Sequence, residues 1–410
     1  MLKKIPVSEV RLGMYLHELS GTTWINHPFW KTKFVLNDEA DLKLLRNSAV
    51  TEVWIDVDLG LNTSPAAPTP PATTESPSTP RPSAPEPPRT LTIEQEVQRA
   101  NQIKQHAKEE ISALYQQARL GQAITTGQLT PLVEDISASV LRNPGVFVSL
   151  SRLKNKDDYT YLHSVTVCAL MISLGRQLGL DNDQLRDAGM AGLLHDLGKA
   201  MIPLDILNKP GKLTEAEFNI VRQHPRDGYN MLEGQDTPGA QAARDVALHH
   251  HEKINGRGYP ERLAGEQISL MARMSAICDV YDAITSNRVY KPGWDPAESI
   301  RQMAGWAKDG HFDLRIFQAF VKSIGIYPTG SLVRLQSSRL AVVLDQHPAS
   351  ALKPKVKAFF SINSNMHIVP EIIDLSKDTT KERIVGRELP EDWKITNLEE
   401  LWTGIPSTRL

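Results

Sequence analysis

Beyond residue 90, apolar side chains return every three to four positions, the period of a helix buried along one face. From Thr92 to Leu120 the stripe is Ile93, Val97, Ala100, Ile103, Ala107, Ile111, Leu114 and Ala118, with Thr90 or Thr92 placed to cap it. Asp157 to Leu178, Asp181 to Leu194, Thr214 to Val221, Pro225 to Leu232, Ala240 to His251, Leu270 to Ser286 and Pro296 to Ala307 read as helices likewise. Near Gly330 the texture changes. Ser331 to Leu335, Arg339 to Leu344, Lys355 to Ser361 and His367 to Ile373 are short apolar runs with the residue types of strands. Residues 1–60 combine two such runs, Lys4 to Val10 and Thr51 to Val57, with a helical stretch near Glu39 to Leu45, which predicts a small α+β module.

Residues 63–90 hold ten of the 27 prolines among Ser, Thr and Ala. That composition cannot build a packed core and predicts an extended, semi-rigid linker. The chain therefore reads as an α+β domain at 1–62, the Pro-rich linker at 63–90, a helical connector at 91–144, a helical domain at 145–330 and a β-rich extension at 331–410. Its fold class is mainly α. The connector either packs on the helical domain or pairs with its copy in a homodimer, and no internal repeat is evident.

With 410 residues, 40% hydrophobic and 23% charged, the composition is that of a soluble protein of two or three domains. A net charge of -2, with no basic stripe interleaved with aromatics, argues against nucleic-acid binding. The two cysteines, Cys168 and Cys278, sit in apolar helical segments as buried thiols rather than a disulfide framework. No signal-peptide core follows the first six residues, and no apolar run approaches the roughly 18 residues of a membrane span. A cytoplasmic protein without membrane attachment is the expectation.

The chemistry concentrates in the middle of the chain. Six of the twelve histidines fall between residues 163 and 251: His163, His195, His224 and the triple His249, His250 and His251. Asp196 adjoins His195, Asp279 follows later, and Gly258-Tyr259-Pro260 lies between. His195 and Asp196 interrupt the apolar run Ala191 to Lys199, and Asp279 interrupts Met274 to Tyr281. A buried carboxylate must be paired, neutralised or bound to metal, and a divalent cation satisfies several such groups together. Adjacent residues lie about 100° apart around a helix, so His195 and Asp196 can serve different metals or the acid can bridge. His224 precedes Pro225, which suits a helix start. Of three consecutive histidines no more than two point easily at one centre, which leaves at least one of them outside it. Singly, each feature has a structural explanation in a core histidine, a surface tract or a turn; all five groups at helix-compatible positions do not.

In this order and with these separations, His195-Asp196, His224-Pro225, His250-His251-Glu252, Gly258-Tyr259-Pro260 and Asp279 resemble the HD-GYP family, a subgroup of the HD metal-dependent phosphohydrolases, over residues 145–330. The first 60 residues, with Arg11-Leu-Gly-Met-Tyr15, resemble the N-terminal domain of unknown role that often precedes HD-GYP domains. The resemblance implies an all-helical HD-type catalytic domain and a phosphodiesterase that opens cyclic di-GMP to pGpG and continues to GMP. It implies metal ligands at His163, His195, Asp196, His224, His250, His251 and Asp279, with Asp196 bridging two divalent ions, iron or manganese favoured. Lys199 is expected near the scissile phosphate, Arg288 and Lys291 on substrate phosphates, and Gly258 and Tyr259 on the rim of the site. Signalling proteins engaging the N-terminal domain are the further partners it suggests.

Those residue types suit the reaction. Hydrolysing a phosphodiester at neutral pH needs an activated water, charge on the non-bridging oxygens and help for the departing 3′ oxygen, which a two-metal site with nearby cations supplies. Two positions depart from the family pattern. Tyr159 stands where some members carry a metal-binding glutamate; a phenol with a reference pKa of about 10 is a poor ligand, so two ions are expected and His251 can fall outside the ligand set. Asn255 stands where an aspartate commonly precedes the Gly-Tyr-Pro loop. Two other readings are a catalytically weak cyclic di-GMP sensor that signals through the linker, and a hydrolase of another cyclic dinucleotide such as cyclic GMP-AMP. Every core ligand position is filled, which favours catalysis over sensing.

Overall fold

The computed structural model describes residues 2–20, 34–46, 50, 52–61, 93–152, 159–286, 293–347, 350–377 and 379–405. It divides into two compact units, Met1–Thr92 and Ile93–Leu410. The Pro-rich segment 63–90 lies outside the described residues.

In the first unit β1 (Leu2–Pro6), β2 (Tyr15–Ser20), β3 (Phe34–Val35) and β4 (Glu52–Asp56) form one antiparallel sheet in the order β1-β4-β2-β3, with α1 (Glu39–Arg46) between β3 and β4 in sequence. Along β4 Val53 and Ile55 are buried, the period-two spacing of a strand with one covered face. With Ile5, Val10, Met14, Leu16, Leu36 and Leu45 they make a small separate core.

The second unit is helical first and β-rich last. In chain order its helices are α2 (Ile93–Arg119), α3 (Thr130–Arg142), α4 (Pro144–Arg152), α5 (Tyr159–Gln177), α6 (Asn182–Leu194), α7 (Leu204–Leu207), α8 (Glu215–Val221), α9 (His224–Met231), α10 (Ala240–His249), α11 (Leu270–Thr285), α12 (Pro296–Lys308) and α13 (Leu314–Ile324). A sheet of β5 (Leu332–Leu335), β6 (Arg339–His347), β7 (Ser350–Ser361), β8 (Met366–Asp374) and β9 (Ile384–Arg387) follows, ordered β8-β7-β6-β5-β9, and then α14 (Leu398–Thr403).

α5 is the centre of this unit, buried without interruption from Leu162 to Gly175. A helix apolar on all sides needs neighbours on all sides, and α2, α3, α4, α6, α11 and α13 supply them. Its polar residues are accommodated inside; the Thr166 hydroxyl, for example, donates to the Leu162 carbonyl at 2.7 Å. α6 begins at a reciprocal cap, in which Asp181 accepts from the Gln184 amide and Gln184 from the Asp181 amide. α6 ends at the His195-Asp196 pair, where His195 caps its C-terminus.

α3, α4 and α13 were not anticipated from the pattern. α13 nevertheless carries a clear start signal, since the Asp313 carboxylate accepts from the Arg315 and Ile316 amides. The run from Leu340 to Leu344 is apolar at every position because both faces of β6 are covered. Leu340, Val342 and Leu344 pack into the helical core, whereas Ala341 and Val343 pack into a second cluster with Val333, Val356 and Ile373. Among the described residues no helix is long and apolar enough to cross a membrane.

Candidate metal centre

Five helices deliver the polar cluster. α5 supplies His163, the end of α6 supplies His195 and Asp196, the start of α9 supplies His224, the end of α10 supplies His250 and His251, and α11 supplies Asp279. All but His251 are buried, and His251 is about one quarter exposed. α9 reaches the end of α6 because position 198 is glycine: a Cβ there would lie 2.0 Å from the His224 carbonyl oxygen.

The carboxylate of Asp196 divides the cluster. Its Oδ2 faces His195 Nε2 at 3.3 Å and His163 Nε2 at 3.5 Å, while its Oδ1 faces His224 Nε2 at 3.4 Å and His250 Nε2 at 3.6 Å. Asp279 Oδ1 lies 3.1 Å from His163 Nε2 and 3.9 Å from His195 Nε2, and its Oδ2 lies 3.9 Å from His251 Nδ1. Ligand-capable atoms of His163, His195 and Asp196 lie within 4.8 Å of one another, as do those of His224, His250 and His251, and those of His195, His250 and Asp279.

Hydrogen bonding on the far side of each ring argues for a cation. His195 Nδ1 lies 2.8 Å from the Gly192 carbonyl, His224 Nδ1 2.6 Å from that of Val221, and His250 Nδ1 2.9 Å from that of Val246. A carbonyl can only accept, so each Nδ1 carries the proton and each neutral ring turns a bare Nε2 lone pair inward. His224 Nε2 and His250 Nε2 stand 3.3 Å apart, and among the described residues His195 Nε2 and Asp196 Oδ1 have no hydrogen-bond partner. Converging lone pairs and carboxylates are satisfied by divalent metal, and rings oriented by backbone carbonyls are how such ligands are held.

Charge within the cluster follows from the same contacts. Burial opposes ionisation of Asp196, but the Lys199 ammonium and hydrogen bonding from His163 outweigh it and hold the carboxyl well below its ordinary range. Asp279 is likewise kept ionised against burial, chiefly by His163. Burial also opposes charge on His163, yet hydrogen bonds to Asp196, Asp279 and Asp282 raise it to about 10. Burial and the neighbouring His250 and His224 push His251 well below the usual imidazole value.

The model described as "HD domain" matches residues 144–316, and that described as "Domain of unknown function (DUF3391)" matches residues 2–129. The chain is 53% identical over 412 residues to the cyclic di-GMP phosphodiesterase PA4108 of Pseudomonas aeruginosa, an alignment covering 99% of this chain and 96% of the relative. This chain belongs to the HD-GYP phosphodiesterase family. Two further members are more distant. The response regulator RpfG of Xanthomonas campestris, also named a cyclic di-GMP phosphodiesterase, is 39% identical over 42% of this chain and 47% of its own. The 3'3'-cGAMP-specific phosphodiesterase 1 of Vibrio cholerae is 34% identical over 41% of this chain and 38% of its own. HD-domain phosphohydrolases are metal-dependent, in keeping with the donor set found here.

The loop that gives the HD-GYP family part of its name closes one side of the cluster. The Tyr259 ring stacks on His251 with centroids 4.8 Å apart, and the Arg222 guanidinium lies 4.8 Å from the Tyr259 centroid. Gly258 passes against the end of α10, where a Cβ would come within 2.4 Å of Glu252 Cα. Buried Glu252 holds the loop by accepting from the Glu261 amide at 2.7 Å and the Arg262 amide at 2.9 Å. Asn255 secures the other end: its Nδ2 donates to the Asp309 carbonyl and its Oδ1 accepts from the Arg257 amide.

Other candidates fall in different places. Lys199 Nζ lies 2.5 Å from Asp196 Oδ2 and its side chain is one quarter exposed. His249 turns away to Asp245 at 2.8 Å and Glu261 at 3.3 Å, in line with the ligand positions the family resemblance implied. His251, which the Tyr159 argument allowed to fall outside the ligand set, comes together with His224 and His250. Arg288 and Lys291 lie outside the described residues, as does the Tyr159 side chain.

Two residues were missed. Asp282, fully buried one turn after Asp279, lies 2.6 Å from His163 Nδ1 and also accepts from the Ser286 hydroxyl. Its signal was the same as that of Asp279, a carboxylate in an apolar helix. Tyr115 of α2 donates to the backbone carbonyl of Asp196 at 2.9 Å, a link between distant segments that no local pattern shows.

Proposed function

We propose that this chain hydrolyses cyclic di-GMP to pGpG and onward to GMP at a two-metal centre. One observation carries the chemistry: a single carboxylate, Asp196, turns one oxygen to His163 and His195 and the other to His224 and His250. The choice of substrate is supported by the relative that is 53% identical across nearly the whole chain and is named for this activity.

In this reading His163, His195 and Asp279 would hold one ion, His224, His250 and His251 would hold the other, and Asp196 would be shared between them. Divalent ions there, iron or manganese by family resemblance, supply charge for the non-bridging phosphate oxygens and acidity for the attacking water. Water oxygen bonds to phosphorus as the bond from phosphorus to the 3′ oxygen breaks, and the departing oxygen takes up a proton. Lys199 would meet that developing negative charge; its ion pair with Asp196 at the cluster and its partial exposure support this role. Tyr259 and Gly258 shape the rim, and Arg288 and Lys291 would hold phosphate.

The test is to incubate metal-loaded full-length protein with cyclic di-GMP and follow pGpG and GMP by chromatography. Turnover to both supports the reading, and bound but unhydrolysed substrate with iron or manganese present sinks it. Asp196→Ala should lose both retained metal and activity. A second reading, cleavage of cyclic GMP-AMP, is favoured by the likeness to the Vibrio cholerae enzyme and is checked in the same assay.

A further inference from the structure

Beside the cluster opens a cavity of about 410 Å³ that the hydrolytic chemistry does not use. His250 and His251 form its inner wall, and Trp306 and His311 face it from α12 and the turn that follows. Its volume is at the small end of ligand pockets, which run roughly 300–1,000 Å³, enough for one nucleoside and not for a two-base ring. The Trp306 and His311 rings are within 22° of parallel, with centroids 6.4 Å apart, so they offer flat faces in one orientation. α11 contributes Ala276 and Val280, short apolar side chains that leave room for a flat group.

One lysine stands in this lining, beside Glu252 and the histidine and apolar rings. Lys253 borders the cavity and makes no ion pair among the described residues. An ammonium only donates, so it suits a base edge made of acceptors. Guanine presents O6 and N7, both acceptors, on one edge; adenine presents N7 beside an amino donor.

We propose that this cavity is a guanine subsite, in which Trp306 stacks on one base of the substrate and Lys253 reads its O6 and N7. The inference rests on the cyclic dinucleotide reading above. It places a base directly beside the histidine ligands, so a phosphate joined to that nucleoside is carried onto the centre. It also makes selectivity a property of one pocket: a substrate with a single guanine can still use it, and one with two adenines cannot satisfy Lys253.

The experiment is steady-state kinetics of the manganese-loaded full chain on cyclic di-GMP and cyclic di-AMP, with bis(p-nitrophenyl) phosphate as a base-free phosphodiester. Wild-type protein that hydrolyses only the base-free compound would overturn the substrate reading itself. Given turnover of cyclic di-GMP, Trp306→Ala should raise KM for it by about tenfold or more, with kcat and metal content little changed, because base stacking is lost. Trp306→Phe should recover most of the affinity, and Lys253→Met should narrow the preference for cyclic di-GMP over cyclic di-AMP. The subsite is refuted by an unchanged KM in Trp306→Ala, or by a loss confined to kcat. If Trp306→Ala does not fold, Trp306→Phe and Lys253→Met decide, and an unaltered base preference in Lys253→Met counts against the proposal.

Discussion

Asp282 Oδ2 lies 2.6 Å from His163 Nδ1 in the buried core. The carboxylate fixes which nitrogen of His163 carries a proton and turns the other toward Asp196 and Asp279. Replacing Asp282 with Asn should weaken metal binding by about 10–100-fold, the usual cost of removing a group that orients a ligand, with turnover returning at high metal. Chelator competition measures the affinity, and an unchanged value would deny Asp282 this role.

His163 makes the metal-free protein sensitive to alkali. Its pKa is raised from 6.5 to about 10 because contacts with three aspartates outweigh burial. A raised folded-state value means stability fully present below the unfolded value and lost as pH rises through the folded one. Chelator-treated protein should therefore melt at progressively lower temperature between pH 7 and 10. Metal must displace the same proton, so binding near pH 7 should release it; calorimetry in buffers of different ionisation enthalpy reads this directly.

Glu252 ties down the Gly-Tyr-Pro loop through two backbone amides. Glu252→Ala leaves both without their acceptor, at a cost of about 1–3 kcal/mol in stability. Hydrogen exchange at Glu261 and Arg262 should accelerate before the rest of α10 is affected. Equal protection in mutant and wild type would show that another group holds the loop.

At position 198 even one methyl group is too large. Gly198→Ala sets a Cβ against the His224 carbonyl, and overpacking of this kind costs about 1–3 kcal/mol. The displacement falls on α9, so metal held through His224 should be lost in preference to metal held through His163 and His195. Metal analysis after dialysis distinguishes the two; proportional loss of all metal would point to general destabilisation instead.

The centre was legible because its ligands interrupt apolar runs. His195-Asp196 and Asp279 stand where a side chain must face the core, and no solvent exposure explains them. Helix divergence showed that one of the three consecutive histidines must lie outside, the family ligand positions pointed to His249, and it does turn to Asp245 and Glu261. Asp282 carried the same signal and went unread beside Asp279. Tyr115, Trp306 and His311 gave no local sign of their placement, since their roles come from helices packed at a distance in sequence. The apolar run at β6 was legible as a strand, while its two separate cores were not, because a continuous run hides which face meets which partner.

The hydrogen bond from Tyr115 to the main chain of Asp196 bears on where this enzyme can be cut. The HD-domain match begins at residue 144, yet α2 and α3 lie before it and bury Val97, Ile111, Leu114, Val133 and Ile136 in the same core as α5. A fragment trimmed to the match would expose that face to water and release the carbonyl beside the bridging carboxylate. A fragment that keeps this core whole begins at residue 93, well upstream of the region by which the family is recognised.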